Sequence, residues 1–435
     1  MKKLIVVALL AWLSIPVFAQ QKLSTSNKKA SPDNSVEPLH GVSQDRLARI
    51  DRYLSQCIDQ GKMNGVVALV MKDGKVIYEK SFGYNDLAKK TPMGVNDIFR
   101  IASQTKAITS VAVMTLFEEG KFLLDDPISK YIPGFANAKV IDKFNIADTT
   151  YTTVPAKREI TIRDLLTHTS GIGYAQIGSP EAKALYGKAG IYGGIGVDKI
   201  TLADQIQRLA PVPLFHQPGE RFTYGLNTDV LGHLVEVVSG MSLDEYLRTR
   251  IFEPLGMKDT YFYLPKEKRG RLVSLYGEKE GARLEMVNAE IDVDGKRFFR
   301  DYPNLEGTHF SGGGGLSGTI HDYAIFLQMM LNGGEYNGVR ILSPSSVRMM
   351  TTNQIGDLEI GDNAKFGLGF AVATAKTAAK LPPSEGSFSW GGMFATSYWA
   401  DPKEKVVGLV YRNMYPTSFW DLDAMFKTLV YQAIF

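Results

Sequence analysis

The stretches with strand character lie at the two ends of this chain, so any large sheet it builds must draw on both. Near the start, Val66–Met71 and Val76–Lys80 flank Asp73-Gly74, a pair that favours a tight two-residue hairpin turn. Far downstream, strands are expected over Gly367–Ala373, Ser387–Trp390, Thr396–Ala400 and Val406–Tyr411. From about Leu124 to Gly315 the texture changes. Long loops there separate helical stretches such as Ile162–Leu166 and Thr228–Val238. Other helices are expected over about 43–61, from Ser103 to about Glu119 with Gly120 as the stop, from Thr319 onward, and over Trp420–Ile434. Asp322 stands third after Thr319, the spacing of a capping arrangement. The pattern predicts a mixed α/β (α+β) fold. One domain is formed by residues 39–123 and 316–435, and a mostly helical domain, 124–315, is inserted between them.

The N-terminus reads as a targeting segment. Met1-Lys2-Lys3 precedes an apolar run from Leu4 to Phe18, and Val17-Phe18-Ala19 supplies a small residue before Gln20. A basic start, a short apolar core and a small end residue predict a signal peptide over 1–19, cleaved near Ala19. The run is short for a spanning helix, so the expected product is periplasmic or secreted, without stable membrane insertion. Residues 20–38, rich in Ser, Lys, Asn and Pro, read as a flexible linker. Losing Lys2 and Lys3 lowers the formal charge by two, from +3 to +1, which gives no reason to expect nucleic acid as a partner. Cys57 is the only cysteine, so no internal disulfide can form. It falls in a helical run and is expected to fill core space.

Ser103-Gln104-Thr105-Lys106 carries the chemistry. Apolar residues lead into it and a helical run follows. Three-residue spacing on a helix places a Ser and a Lys side chain on one face, about 5–6 Å apart at Cβ. A hydroxyl needs a base before it attacks, and a lysine serves only if its surroundings keep it neutral. The free N–H groups at a helix start favour developing negative charge. Ser26-Asn27-Lys28-Lys29 repeats the spacing in a polar stretch that has no helix to hold it.

Tyr224 follows the Pro218-Gly219 turn and precedes a helix near Asn227 or Thr228, where it can exchange protons with Ser103 and Lys106. The alternative is a half-buried structural tyrosine. Trp390-Gly391-Gly392-Met393 falls on a late expected strand, where two glycines let a ligand approach the backbone and Met393 can supply an N–H. The alternative there is a bulge packed by a core tryptophan. Gly312–Gly315 lacks the Lys-Ser/Thr of a phosphate loop and reads as a flexible crossing. The six histidines show no metal-ligand spacing, and His168 is expected to be structural.

Taken in order, five stretches carry a resemblance to a known family. They are Phe99–Lys106, Asp164–Gly171, Pro218–Tyr224, Phe252–Met257 and Trp390–Gly392. The chain resembles the serine β-lactamase and penicillin-binding superfamily, in particular the class C-like branch that includes family VIII carboxylesterases. The resemblance implies a β-lactamase-like fold, an antiparallel sheet flanked by helices with an inserted helical domain. It implies Ser103 as the acyl-forming nucleophile, Lys106 as its partner base and Tyr224 as the catalytic tyrosine. The N–H groups of Ser103 and Met393 would form the oxyanion hole, and Trp390, Gly391, Gly392 and Asn227 would contact substrate. No metal or organic cofactor is implied. The branch's β-lactamases carry Tyr-x-Asn, whereas here Leu226 is third and Asn227 fourth. They also carry Lys-Thr-Gly where this chain has Trp390-Gly391-Gly392. The expected function is therefore ester or amide hydrolysis of a small molecule through an acyl-enzyme, with carboxylesterase favoured. A β-lactamase or a D-amino-acid peptidase is the first alternative, and a catalytically silent penicillin-binding-like protein is the second.

Overall fold

In the computed structural model the described residues are 41–435, apart from 175–176, 192, 197–198, 280–282, 294–295 and 362. The expected signal peptide and linker lie outside them. Helix α1 (Gln44–Asp59) begins where the Ser43 hydroxyl accepts from the Arg46 N–H at 3.3 Å. Leu47, Ile50, Leu54 and Cys57 recur at helical spacing and form its buried face.

Strands β1 (Gly65–Lys72) and β2 (Lys75–Asp86) follow, joined by Asp73-Gly74. Both turn residues have positive φ, +50° and +75°, as the tight hairpin requires. Short β3 (Thr91–Pro92) ends this part of the sheet. Helix α2 (Thr105–Glu118) comes next, and all its residues from Thr105 to Leu116 are buried. The middle of the chain holds a hairpin, β4 (Lys139–Asn145) and β5 (Thr150–Pro155), then α3 (Ile162–Leu166), α4 (Leu202–Leu209) and α5 (Asn227–Ser239). Two further hairpins, Tyr276–Lys279 with Arg283–Met286 and Glu290–Val293 with Lys296–Phe299, also lie there. These strands sit where the sequence pattern predicted loops and helices. Each hairpin is short and has few alternating apolar residues to announce it.

Helix α6 (Ile320–Leu331) leads back to the sheet. Thr319 caps it, accepting from the Asp322 N–H at 3.2 Å. The Asp322 carboxylate does not complete a reciprocal box. It accepts from the Asp259 N–H at 2.7 Å and from the Thr260 hydroxyl at 2.9 Å. The chain then forms β6 (Lys365–Phe366), β7 (Ala371–Val372), β8 (Phe388–Gly392), β9 (Thr396–Asp401) and β10 (Val406–Tyr411), and closes with α7 (Leu422–Tyr431). The single strand expected over Gly367–Ala373 is instead a reversal between β6 and β7, turned at Gly369 with φ +95°.

The main sheet has eight strands in the order β6-β7-β8-β9-β10-β1-β2-β3, and every neighbouring pair is antiparallel. The two ends of the chain meet in the β1–β10 pair, with Val67 opposite Tyr411 and Lys72 opposite Val406. Helix α1 packs on β2 and α7 on β10, while α6 packs on β1, β9 and β10. With helices on both faces, the central strands carry continuous apolar runs, and Val66–Val70 and Val406–Tyr411 have essentially no exposed surface. The described residues from Gly41 on belong to one compact unit. One buried cluster runs from Val67 and Leu409 in the sheet through Ile108 of α2 to Ile206 of α4 and Leu231 of α5. No described helix is long and apolar enough to cross a membrane.

Candidate active site

Ser103 sits in a single tight turn, Ala102–Gln104, immediately before α2. Ala102, fully buried, has φ +44°, a left-handed conformation that costs a non-glycine residue about 1–2 kcal/mol. The kink lifts Ser103 out of an otherwise closed segment. Among the residues from Ile101 to Leu116 it alone is not buried. Gln104 anchors the turn. Its carbonyl accepts from the Tyr323 hydroxyl of α6 at 2.8 Å, and its side-chain oxygen accepts from the Tyr411 hydroxyl of β10.

One turn on, Lys106 is 2% exposed. Its ammonium donates to the Ser103 Oγ at 3.3 Å, the Tyr174 hydroxyl at 2.9 Å and the Gly313 carbonyl at 2.6 Å. It also lies 4.6 Å from the centre of the Tyr224 ring. Burial pulls this amine toward the neutral form, but Tyr174 and then Tyr224 outweigh it and hold the amine above its ordinary range. The Tyr174 hydroxyl is pushed up by its own burial, with the Lys106 charge opposing. At neutral pH the pair is therefore an ammonium and a neutral phenol. A resting neutral lysine, which the Ser–Lys spacing by itself calls for, is not what these surroundings favour.

The structure brings Tyr224 and Trp390 together beside Lys106. The Trp390 indole N–H donates to the Tyr224 hydroxyl at 3.3 Å, and the two ring centres are 5.4 Å apart. Tyr224 also packs on Tyr174 and His168, with ring centres 5.3 and 4.9 Å away. His168 is buried, and that burial, followed by the Lys106 charge, keeps its imidazole well below the ordinary range and neutral. Asn227 is fully buried behind this group. Its amide donates to His168 Nδ1 at 2.9 Å and its oxygen accepts from the Ser170 hydroxyl. The side chain expected to meet substrate is thus spent on fixing His168.

At the other side of Ser103, β8 ends at Gly392 and Met393 begins the following turn rather than extending the strand. A Cβ at Gly392 would stand 2.4 Å from the Ile101 carbonyl oxygen, so only glycine lets this strand end lie against the turn that holds Ser103. Gly391 and Trp390 are partly exposed.

Two features escaped the sequence pattern. Tyr174 makes the direct hydrogen bond to Lys106, and its only signal is a place three residues beyond the Thr169-Ser170-Gly171 stretch. Gly312–Gly315, expected as a flexible crossing, is entirely buried and laid along α2. Thr109 donates to the Gly312 carbonyl at 2.9 Å and Thr105 accepts from the Leu316 N–H at 3.1 Å. The glycines are there for close approach, because a Cβ at Gly312 would stand 2.6 Å from the Thr228 carbonyl oxygen.

Beside Tyr174 and Tyr224 opens a hollow of about 350 Å³, walled by Ile141 and Phe144 of β4, by Phe215, and by the charged Glu181 and Arg221. Among the described residues no three His, Cys, Asp or Glu side chains gather as a metal-binding set.

An antiparallel sheet between helices, with a serine, a lysine and two tyrosines converging where a helix begins, defines the class of β-lactamase-fold serine hydrolases. The beta-lactamase family model matches residues 50–432, and the chain belongs to that family. Esterase EstB of Burkholderia gladioli is 30% identical over 361 residues, covering 81% of this chain and 87% of that protein. The lovastatin esterase of Penicillium rubens is 29% identical over 384 residues, covering 83% and 91%. Among solved structures, EstCE1, described as a hydrolase with promiscuous acyltransferase activity, matches with a TM-score of 0.75 at 27% identity. That match covers 89% of this chain and 99% of EstCE1.

Proposed function

We propose that this protein is an exported carboxylesterase that works through an acyl-enzyme on Ser103. The observation that carries the reading is the convergence of Ser103 Oγ and Tyr174 Oη on the Lys106 ammonium, with the Tyr224 ring beside it. Ser103 Oγ attacks the ester carbonyl carbon. The Ser103 proton moves onto the Tyr224 oxygen as the Tyr224 hydroxyl proton moves to the departing alkoxide, so the Lys106 ammonium and the Tyr174 phenol keep theirs. Water then attacks the acyl-serine carbonyl carbon, its proton relayed through Tyr224 to the departing Ser103 Oγ, and the acid is released. The Ser103 and Met393 N–H groups would hold the oxyanion, a reading supported by the close seat of Gly392 against Ile101.

Trp390 favours esters over β-lactams. The lactam carboxylate is best met by a cation, and a charge-assisted hydrogen bond is worth roughly 1.5–3 kcal/mol. Trp390 presents an apolar face, and its one N–H already donates to Tyr224. Arg221 at the hollow beside Tyr224 favours the second reading, a β-lactam or D-amino-acid peptide, because it supplies a cation for a substrate carboxylate. Comparing kcat/KM for p-nitrophenyl butyrate and nitrocefin decides between them. The butyrate is expected to be at least tenfold better, and an equal or higher nitrocefin value overturns the esterase reading.

Export rests on Met1-Lys2-Lys3, the apolar run and Val17-Phe18-Ala19. N-terminal sequencing of protein from the native host should begin near Gln20. An intact apolar N-terminus in the membrane fraction would refute release.

A further inference from the structure

Behind the Lys106 cluster lies a carboxylate that the acyl-enzyme scheme does not use. Asp229, on the first turn of α5, is 1% exposed. Its Oδ1 accepts from the Ser311 hydroxyl at 2.6 Å and from the Gly313 N–H at 3.4 Å. Its Oδ2 is buried and has no hydrogen-bond partner among the described residues. A buried carboxylate without an ion pair is costly, and such groups are usually neutralised or put to use.

The residue that Asp229 holds by its N–H is the one that holds Lys106 by its carbonyl. Gly313 gives its N–H to Asp229 and takes the Lys106 ammonium on its carbonyl at 2.6 Å. The carboxylate and the ammonium therefore sit on opposite ends of one residue. Tyr174 faces the same spot. A Cβ at Gly313 would stand 2.4 Å from Asp229 Oδ2 and 3.4 Å from the Tyr174 hydroxyl oxygen. Both oxygens thus lie on one side of Gly313. Among the described residues, the charged and titratable groups facing Asp229 are Lys106 from α2 across Gly313, Tyr174 from the segment after α3, and His309 from the segment before Ser311. His309 is itself buried, and that burial holds its imidazole below the ordinary range, so it is neutral and does not cancel the carboxylate.

We propose that Asp229 is a positioning residue of the catalytic group: through Gly313 it aims the carbonyl that orients Lys106, and its charge keeps Lys106 as an ammonium and Tyr174 as a phenol. Proton exchange with Ser103 is then left to Tyr224. The inference rests on the acyl-enzyme reading and adds to it a residue that never touches substrate.

The test is the pH profile of kcat/KM for p-nitrophenyl butyrate in Asp229→Asn, a change that keeps shape and removes charge. Without the negative charge every proton in the cluster leaves more easily, so both limbs of the profile should move to lower pH by about one unit, the order expected for one charge across a residue at an effective dielectric near 20. Ser311→Ala keeps the charge but frees the carboxylate. It should lower kcat about 3–10-fold, as loss of one hydrogen bond implies, with KM and the profile in place. An Asn variant that melts like the wild type and keeps the wild-type profile overturns the inference. If that variant does not fold, an unchanged kcat in Ser311→Ala overturns it instead. Labelling of the wild type by a fluorophosphonate separates the two levels. No adduct on the Ser103 peptide sinks the acyl-enzyme reading, whereas an adduct there together with an unmoved Asn profile sinks only the role of Asp229.

Discussion

Lys106 is a charge with three partners, and its worth depends on all of them. If the ammonium that holds the Ser103 oxygen and lies against the Tyr224 ring acts with them as one proton-transfer unit, the losses on removing its members are strongly non-additive. Lys106→Ala and Tyr224→Phe should each lower kcat/KM about 10³-fold or more, the scale seen for such groups, and the double variant should be little worse than the worse single. Fully multiplicative losses would show that the residues act separately. Histidines set a second expectation at this scale. His168, His216 and His309 are held below the ordinary value of 6.5, in each case mainly by burial. The unfolded chain therefore binds protons on these rings near pH 6.5 while the folded chain does not. Each ring contributes stability that is complete above that pH and lost as pH falls toward its folded value, by up to about 1.4 kcal/mol per pH unit. The His168 ring resonances should stay flat between pH 7.5 and 6 in an NMR titration. A midpoint near 6.5 would mean that the ring is solvated.

At the scale of elements, the site is a seam between the start of α2 and the end of β8. Contacts from elsewhere in the fold help to place both ends. Gln104 ties the α2 turn to α6 and β10, and glycine at 392 lets β8 come against Ile101. Gly392→Ala places a methyl against that carbonyl oxygen and must push the strand end away. If Met393 supplies an oxyanion donor, the rate of fluorophosphonate labelling should fall about 10²–10³-fold, the usual cost of one such donor. The sheet should persist, so the circular dichroism spectrum should keep its shape. Labelling at the wild-type rate would remove Met393 from the oxyanion site.

The molecule as a whole is closed by a pair of strands from opposite ends of the chain. Val67 faces Tyr411, and the middle helices pack on the same core that the sheet builds. We propose that residues 124–315 are an inserted layer that melts with the sheet rather than apart from it, because the buried cluster crosses between them. Calorimetry should show one transition, and Leu409→Ala, at a fully buried β10 position, should lower stability by about 2–5 kcal/mol. Two resolved transitions would make the insert an independently folding unit.

What the sequence determined by itself is what a few neighbouring residues decide. Asp73-Gly74 sets a hairpin because the turn needs two positive φ angles, and Ser103 and Lys106 share a face because a helix repeats every 3.6 residues. Tyr224 and Trp390 could also be singled out, the first because it follows the Pro218-Gly219 turn and the second because two glycines follow it on an expected strand. Other parts of the site were not local. The Lys106 ammonium finds Tyr174 68 residues away and the Gly313 carbonyl 207 away, and Asp229 reaches Ser311 across 82. No periodicity spans such separations. These meetings are decided by how α2, α5 and the glycine loop pack, where a Cβ at Gly312 or Gly313 would collide and glycine does not. Asn227 shows the same limit from the other side. Its position next to the tyrosine motif predicted a substrate contact, and packing turned its amide inward to His168. Spacing along the chain set Ser103 beside Lys106, while packing chose the oxygens that surround them.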